Sequence, residues 1–190
     1  MNGGAVMEQE RQARRTPVPK GVETLYHFSE DPAISRFVPH IPPSNPGHAP
    51  AVWVIDAEHA PLYWFPRHCP RVSVWARTAT EQAELSERFG TDARRICAAE
   101  TGWLERIRSA RIYRYEFDPE PFRPWEEAAG QWIADIPVTP ERVVELNDLL
   151  AVHAAADIEL RITPTLGGVM GQILESRLPF GFVRLRDARR

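Results

Sequence analysis

Hydrophobic and polar positions along this 190-residue chain follow two periods, and the points where one gives way to the other outline the elements. Residues 24–28, TLYHF, carry the aromatic and β-branched types of a short strand, and 51–55, AVWVI, read as a buried one. In RVSVWAR (71–77), Val72, Val74 and Ala76 alternate with polar positions, the period of a strand. From 80 to 109 the spacing turns helical. TEQAELSERFG stops at Gly90, and DARRICAAETGWLERIRSA puts Ile96, Ala99, Trp103, Leu104 and Ile107 on one face of a second helix.

Strand period returns in RIYRYEFD (111–118) and QWIADIPV (131–138). Thr139, Pro140 and Glu141 then supply cap, first-position proline and first-turn acid for a helix through ERVVELNDLLAVHAA, with Val143, Val144, Leu146, Leu149 and Leu150 as its apolar face. IELRI predicts a strand, TPTLGGVMGQILESR a glycine-bearing helix, and PFGFVRLRD a last strand with basic residues alternating outward. Asp56 is placed to cap a helix over AEHAPLYWF, which Pro61 limits to a turn or two. Residues 39–50, with five prolines and a glycine, form a loop, and EPFRPWEEAAG reads as a proline-broken, lid-like segment. Residues 1–22 mix glycine, proline and charge without periodicity and read as a flexible leader. The expectation is a single α+β domain over 23–190, strands and helices mixed but not in regular alternation.

Composition adds stiffness and removes some functions. Eighteen prolines are roughly twice the usual share, so the loops are many and stiff. The net charge of −3 comes without a long single-sign block, so charge does not indicate nucleic acid as a partner. No apolar run approaches the roughly 18 residues of a membrane span. Two cysteines, Cys69 and Cys97, with no signal peptide, point to free thiols in the cytoplasm.

The densest chemistry lies in IDAEHAPLYWFPRHCP (55–70). His59, His68, Cys69 and Cys97 are metal-ligand types, but no C-x-x-C, H-E-x-x-H or paired i, i+4 histidine occurs, so no metal is expected. Arg67, His68 and Arg71 flank Cys69 and are of the kind that lowers a thiol pKa, against the reading of a packed bystander. GGVMG (167–171) lacks the order of a phosphate-cradling loop. His27 points opposite to Tyr26 and Phe28 in its strand. If those aromatics enter the core, it faces a cleft; a buried structural histidine is the alternative. Tyr63 and Trp64 read either as a stacking surface or as core beside Leu62 and Phe65.

The order LYHFS, ISRFVP, a polar loop, VWVID and APLYWF resembles the front half of ADP-ribosyltransferase-like domains. That resemblance implies a split or strongly bent, mostly antiparallel sheet with flanking helices, and NAD or a related nucleotide as the small-molecule ligand. It gives His27, with Ser29 beside it, the contact to the nicotinamide ribose, and Tyr63, or else Trp64, the packing on nicotinamide. GQWIADIPVTPERVVEL resembles the strand and helix that bear the glutamate in bacterial members acting on nucleic acid, and the matching position is Gln131, with Glu127 or Glu126 upstream as substitutes. The glutamate offsets the positive centre formed as nicotinamide leaves, which a neutral amide cannot do. Gln131 therefore predicts weak, altered or absent ADP-ribosyl transfer or NAD glycohydrolysis, or a non-catalytic ligand-binding or interaction module on the same fold. Residues 23–190 are also similar to a bacterial family of unknown function with the blocks LYHFSED, HAPLYWFPR and RLRDA.

Overall fold

The computed structural model describes residues 21–42 and 46–189, so residues 1–20 of the expected leader lie outside the described residues. The fold is α+β, with four α-helices and two sheets among these residues. The chain forms two compact units, each assembled from three separated segments. The first takes the segment ending at His27 together with Ile34–Glu58 and Tyr115–Arg142; the second takes Phe28–Ala33, His59–Arg114 and Val143–Arg190.

One sheet consists of β1 (Leu25–Ser29), β2 (Val52–Ile55), β5 (Ile112–Phe117), β6 (Arg123–Pro124), β7 (Gln131–Ala134) and β8 (Arg142–Leu146) in the order β6-β7-β2-β1-β5-β8. Antiparallel pairing joins β1 to β2, β2 to β7 and β6 to β7. In the first unit Leu25, Val52, Val54, Trp132 and Ala134 are buried. Phe37, anchored by paired backbone bonds to Val138 at 2.8 and 2.9 Å, stands edge-on to Tyr115 and Phe117, each 5.1 Å away.

The second unit contains a sheet of β3 (Arg71–Trp75), β4 (Arg95–Glu100), β9 (Ile158–Thr163) and β10 (Phe180–Val183) in the order β10-β3-β4-β9. The β4–β9 pair is parallel, and the other two are antiparallel. Val72, Val74, Ile96 and Ala98 form a core cluster with Leu85 and Phe89 of α1 (Ala79–Phe89) and Ile173 of α4 (Gly167–Leu174). The alternate residues Cys97, Ala99 and Ile158 cluster with Ile107 of α2 (Leu104–Ser109), Leu149 of α3 (Leu149–Ala155), Phe65 and Cys69. Both faces of this sheet are therefore buried, and each wholly buried Leu or Ile stabilises by about 1.5–3 kcal/mol.

Several sequence expectations are corrected. Arg95–Glu100 is strand, not the first half of a helix, and only Leu104–Ser109 is helical. RICAAE is buried along almost its whole length, and a short run apolar on both faces has no period to separate strand from helix. The helix expected from Thr139 is strand β8 followed by α3, whose cap is Asp148, with its carboxylate accepting from the Ala151 N–H at 3.2 Å. Here β-branched Val143 and Val144 prevail over the capping signal. Asp56 is not the N-cap residue: the short element is a 3-10 helix, Ala60–Tyr63, with His59 at its N-cap position. The last strand stops at Val183, because Arg184 turns left-handed (φ 58°) into the 3-10 helix Leu185–Asp187.

Candidate functional site

The expected site residues fall in both units. In the first, register fixes which way they point. Tyr26 pairs with Ile55 and Ile55 with Gln131, so these three share one face of the sheet. One position along, His27 shares the other face with Leu25, Val52, Val54 and Trp132, which are buried. The Tyr26 and Gln131 face carries buried Ile55 and Ile133 as well, so buried residues lie on both sides; His27 is half-buried, its ring 4.9 Å from that of Phe37. Its Nδ1–H donates to the Trp53 carbonyl at 2.9 Å, which fixes a proton on Nδ1. Gln131 closes the turn before β7: its N–H donates to Ala128 O at 3.2 Å and its carbonyl accepts from Trp125 N–H at 2.8 Å. Glu126 and Glu127 are exposed within that turn. The His27 and Gln131 side chains leave the sheet on opposite faces.

In the second unit Tyr63 ends the 3-10 helix and is half-buried. Its ring lies near-parallel to Phe28, 9° apart with centroids at 6.2 Å, too far for full face-to-face contact. The guanidinium carbon of Arg71 stands 5.5 Å from the same ring. Ser29 is committed locally, its Oγ accepting from the Asp31 N–H at 3.1 Å. Trp64, half-buried like Tyr63, packs against the cluster of Phe65, Cys69 and Cys97, edge-on to His153 at 5.8 Å. His153 donates from Nδ1 to Leu149 O at 2.7 Å, and burial holds its pKa below the ordinary value. Trp64 Nε1 and His153 Nε2 are both buried with no hydrogen-bond partner among the described residues.

Both thiols are buried and held in the protonated form at neutral pH. Burial pushes Cys69 up to about 12 despite Arg71 and Arg106, and pushes Cys97 up as well. The activating effect expected from neighbouring cations is outweighed because the Cys69 side chain points into the core, where desolvation penalises the thiolate. His59 is buried against Trp75, while His68 is exposed with Nδ1 3.9 Å from the Asp187 carboxylate. Among the described residues no group of three or more His, Cys, Asp or Glu side chains is arranged to hold a metal ion. None of their helices is long and apolar enough to cross a membrane.

Three residues gather at one end of the four-stranded sheet: Arg71, read from the sequence as a cation flanking Cys69, Arg184, read as part of the outward basic face of the last strand, and Glu100, which the sequence did not single out. Arg71 opens β3 opposite Ala99 and Val183, Glu100 closes β4, and Arg184 follows β10, so the register brings all three to the same edge. Arg71 is only 5% exposed. Its Nε donates to Leu62 O at 2.6 Å and its Nη1 to Cys69 O at 2.9 Å, with Tyr63 and Phe65 beside the guanidinium. Desolvation lowers its pKa to about 10. Glu100 is buried too, its Oε1 accepting from the Arg189 N–H at 3.0 Å. The signal was available: Arg71 sits on the polar side of an alternating strand, and burial of that side means a charge inside the fold.

These observations define an α+β protein in which an aromatic ring and a buried arginine are held together at the mouth of a small mixed sheet. The chain belongs to a family of unknown function (DUF6886), whose model matches residues 26–188. Comparison with curated proteins and with solved structures gives no match.

Proposed function

We propose that the chain is an ADP-ribosyltransferase-like domain that binds NAD or a related nucleotide through its second unit, with Tyr63 as the face on which a planar ring of the ligand stacks. The observation that supports this most is the environment of Tyr63: a half-buried ring, incompletely covered by Phe28, with the Arg71 guanidinium 5.5 Å from its centroid. A flat aromatic face beside a fixed cation complements a heterocycle joined to phosphate. The test is titration of the protein with NAD, followed by tryptophan fluorescence and calorimetry. Stacking on an aromatic is worth about 1–3 kcal/mol, so Tyr63→Ala should weaken NAD about 5- to 150-fold. No NAD binding at millimolar concentration overturns the proposal.

A second reading is a binding module without transfer chemistry. Two observations favour it: Gln131 offers an amide where the transferase pattern has a carboxylate, and the His27 and Gln131 side chains leave the sheet on opposite faces. Release of nicotinamide from NAD separates the two. Release that His27→Ala abolishes supports the transferase reading, and binding without release supports the module.

A further inference from the structure

We propose that Arg71 and Arg184, at the end of the four-stranded sheet, together bind an oxyanion, a phosphate or carboxylate group, between their guanidinium groups. The site does not depend on the ligand carrying nicotinamide and goes beyond the nucleotide reading.

The first observation is the unfinished state of Arg71. Its two hydrogen bonds go to backbone carbonyls, Leu62 O and Cys69 O, and leave Nη2 with no partner among the described residues. A buried cation ordinarily has a carboxylate against it, because desolvating an unmatched charge is costly. The groups that act on Arg71 most are Tyr63, Cys69, Arg184 and Cys97. None is a carboxylate, and the two thiols are neutral at physiological pH.

The second observation is Arg184. Val183 pairs with Arg71, so the residue after it lies beside the start of β3, and its positive charge opposes that of Arg71. Its backbone has φ 58°, ψ 29°, a left-handed conformation that suits glycine far better than arginine. Yet its side chain has no hydrogen bond or ion pair with any described residue. The acids nearby in sequence and register are turned to other partners: Glu100 to the Arg189 N–H, Asp187 to His68 and Arg186. A purely structural Arg71, tying the 3-10 helix to the Cys69 turn, accounts for Nε and Nη1. It accounts neither for Nη2 nor for an unpaired arginine in a strained conformation next to a like charge. An oxyanion accepting from both guanidiniums gives Nη2 and Arg184 a partner and offsets their like charges, since planar donors in pairs are the usual receptor for such groups.

The probe is inorganic phosphate, with acetate as the carboxylate arm and sodium chloride at matched ionic strength as the control. Wild-type protein should gain melting temperature and give a calorimetric signal with phosphate or acetate but not with chloride. Arg184→Gly should weaken that binding at least tenfold while melting no lower than wild type without anion, because glycine relieves the left-handed strain. Arg184→Lys, which keeps the charge, should bind with intermediate strength. The proposal is overturned if neither anion exceeds the chloride control, or if Arg184→Gly binds as wild type does. A Gly variant that melts lower than wild type with no anion effect marks Arg184 as structural and also overturns it. An NAD arm separates the two readings. Phosphate binding without NAD binding removes the nucleotide reading and leaves this one standing. NAD binding that Arg184→Gly does not alter, with no response to free anion, does the reverse.

Discussion

His153 shows how one side chain can set a condition on the whole second unit. It is 1% exposed, and burial holds its pKa below the ordinary 6.5, outweighing the Nδ1–H donation to Leu149 O, which favours the protonated ring. In the unfolded chain the same ring titrates near its ordinary value, so below that pH the unfolded state binds the extra proton. Stability should therefore be constant with respect to His153 above about pH 6.5 and fall as pH drops from there toward the depressed folded-state value. Thermal melts between pH 8 and pH 5 check this, and His153→Gln should flatten the acid side of the profile. Legibility at this scale was uneven. Tyr63 stood out in the sequence because aromatics cluster in APLYWF, but the edge-on contact of Trp64 with His153, about 90 residues away, had no local signal. Arg71 was visible as the polar start of an alternating strand, but that pattern reads as a solvated side, and its burial followed only from the packing of both faces of β3. Which neighbours share the face of His27 was likewise open until the register of β1 with β2 and of β2 with β7 was known.

Among the elements, α1 was the most legible because its signals are local. Thr78 and Glu81 form a reciprocal capping box: Thr78 Oγ1 accepts from the Glu81 N–H at 3.2 Å, and the Glu81 carboxylate accepts from the Thr78 N–H at 2.9 Å. Gly90 ends the helix in the left-handed conformation (φ 64°), as its place after the periodic run predicts. Thr78→Ala should cost about 1 kcal/mol, read as a lower denaturant midpoint with an unchanged slope. The elements that were misread depend on distant partners. β4 is a strand because β3 and β9 flank it, and β9 lies some 60 residues further on (Arg95 pairs with Ile158). Gly181 is a similar case. A Cβ there would sit 2.6 Å from Leu62 Cδ1, a close approach between segments far apart in sequence that no local pattern announces.

For the molecule as a whole, α+β character was legible from the mixture of periods, whereas the division into two compact units was not. Neither unit is a continuous stretch of chain, so no shift of composition or linker marks a boundary. This interleaving makes a prediction about truncation. Removing residues 180–190 deletes β10, which pairs with β3 over four positions and covers one edge of the second unit's sheet. The truncated chain should lose cooperative melting and become aggregation-prone, as a long unpaired edge at β3 would be exposed; light scattering and circular dichroism check both. The position of β10 also bears on synthesis. The hairpin of β3 and β4 is complete at Glu100, while the partners of its two outer edges, β9 and β10, begin only at Ile158 and Phe180. Between the synthesis of β4 and that of β9 the nascent chain carries a hairpin open on both sides, so slow elongation over that stretch should raise mispairing and aggregation during synthesis.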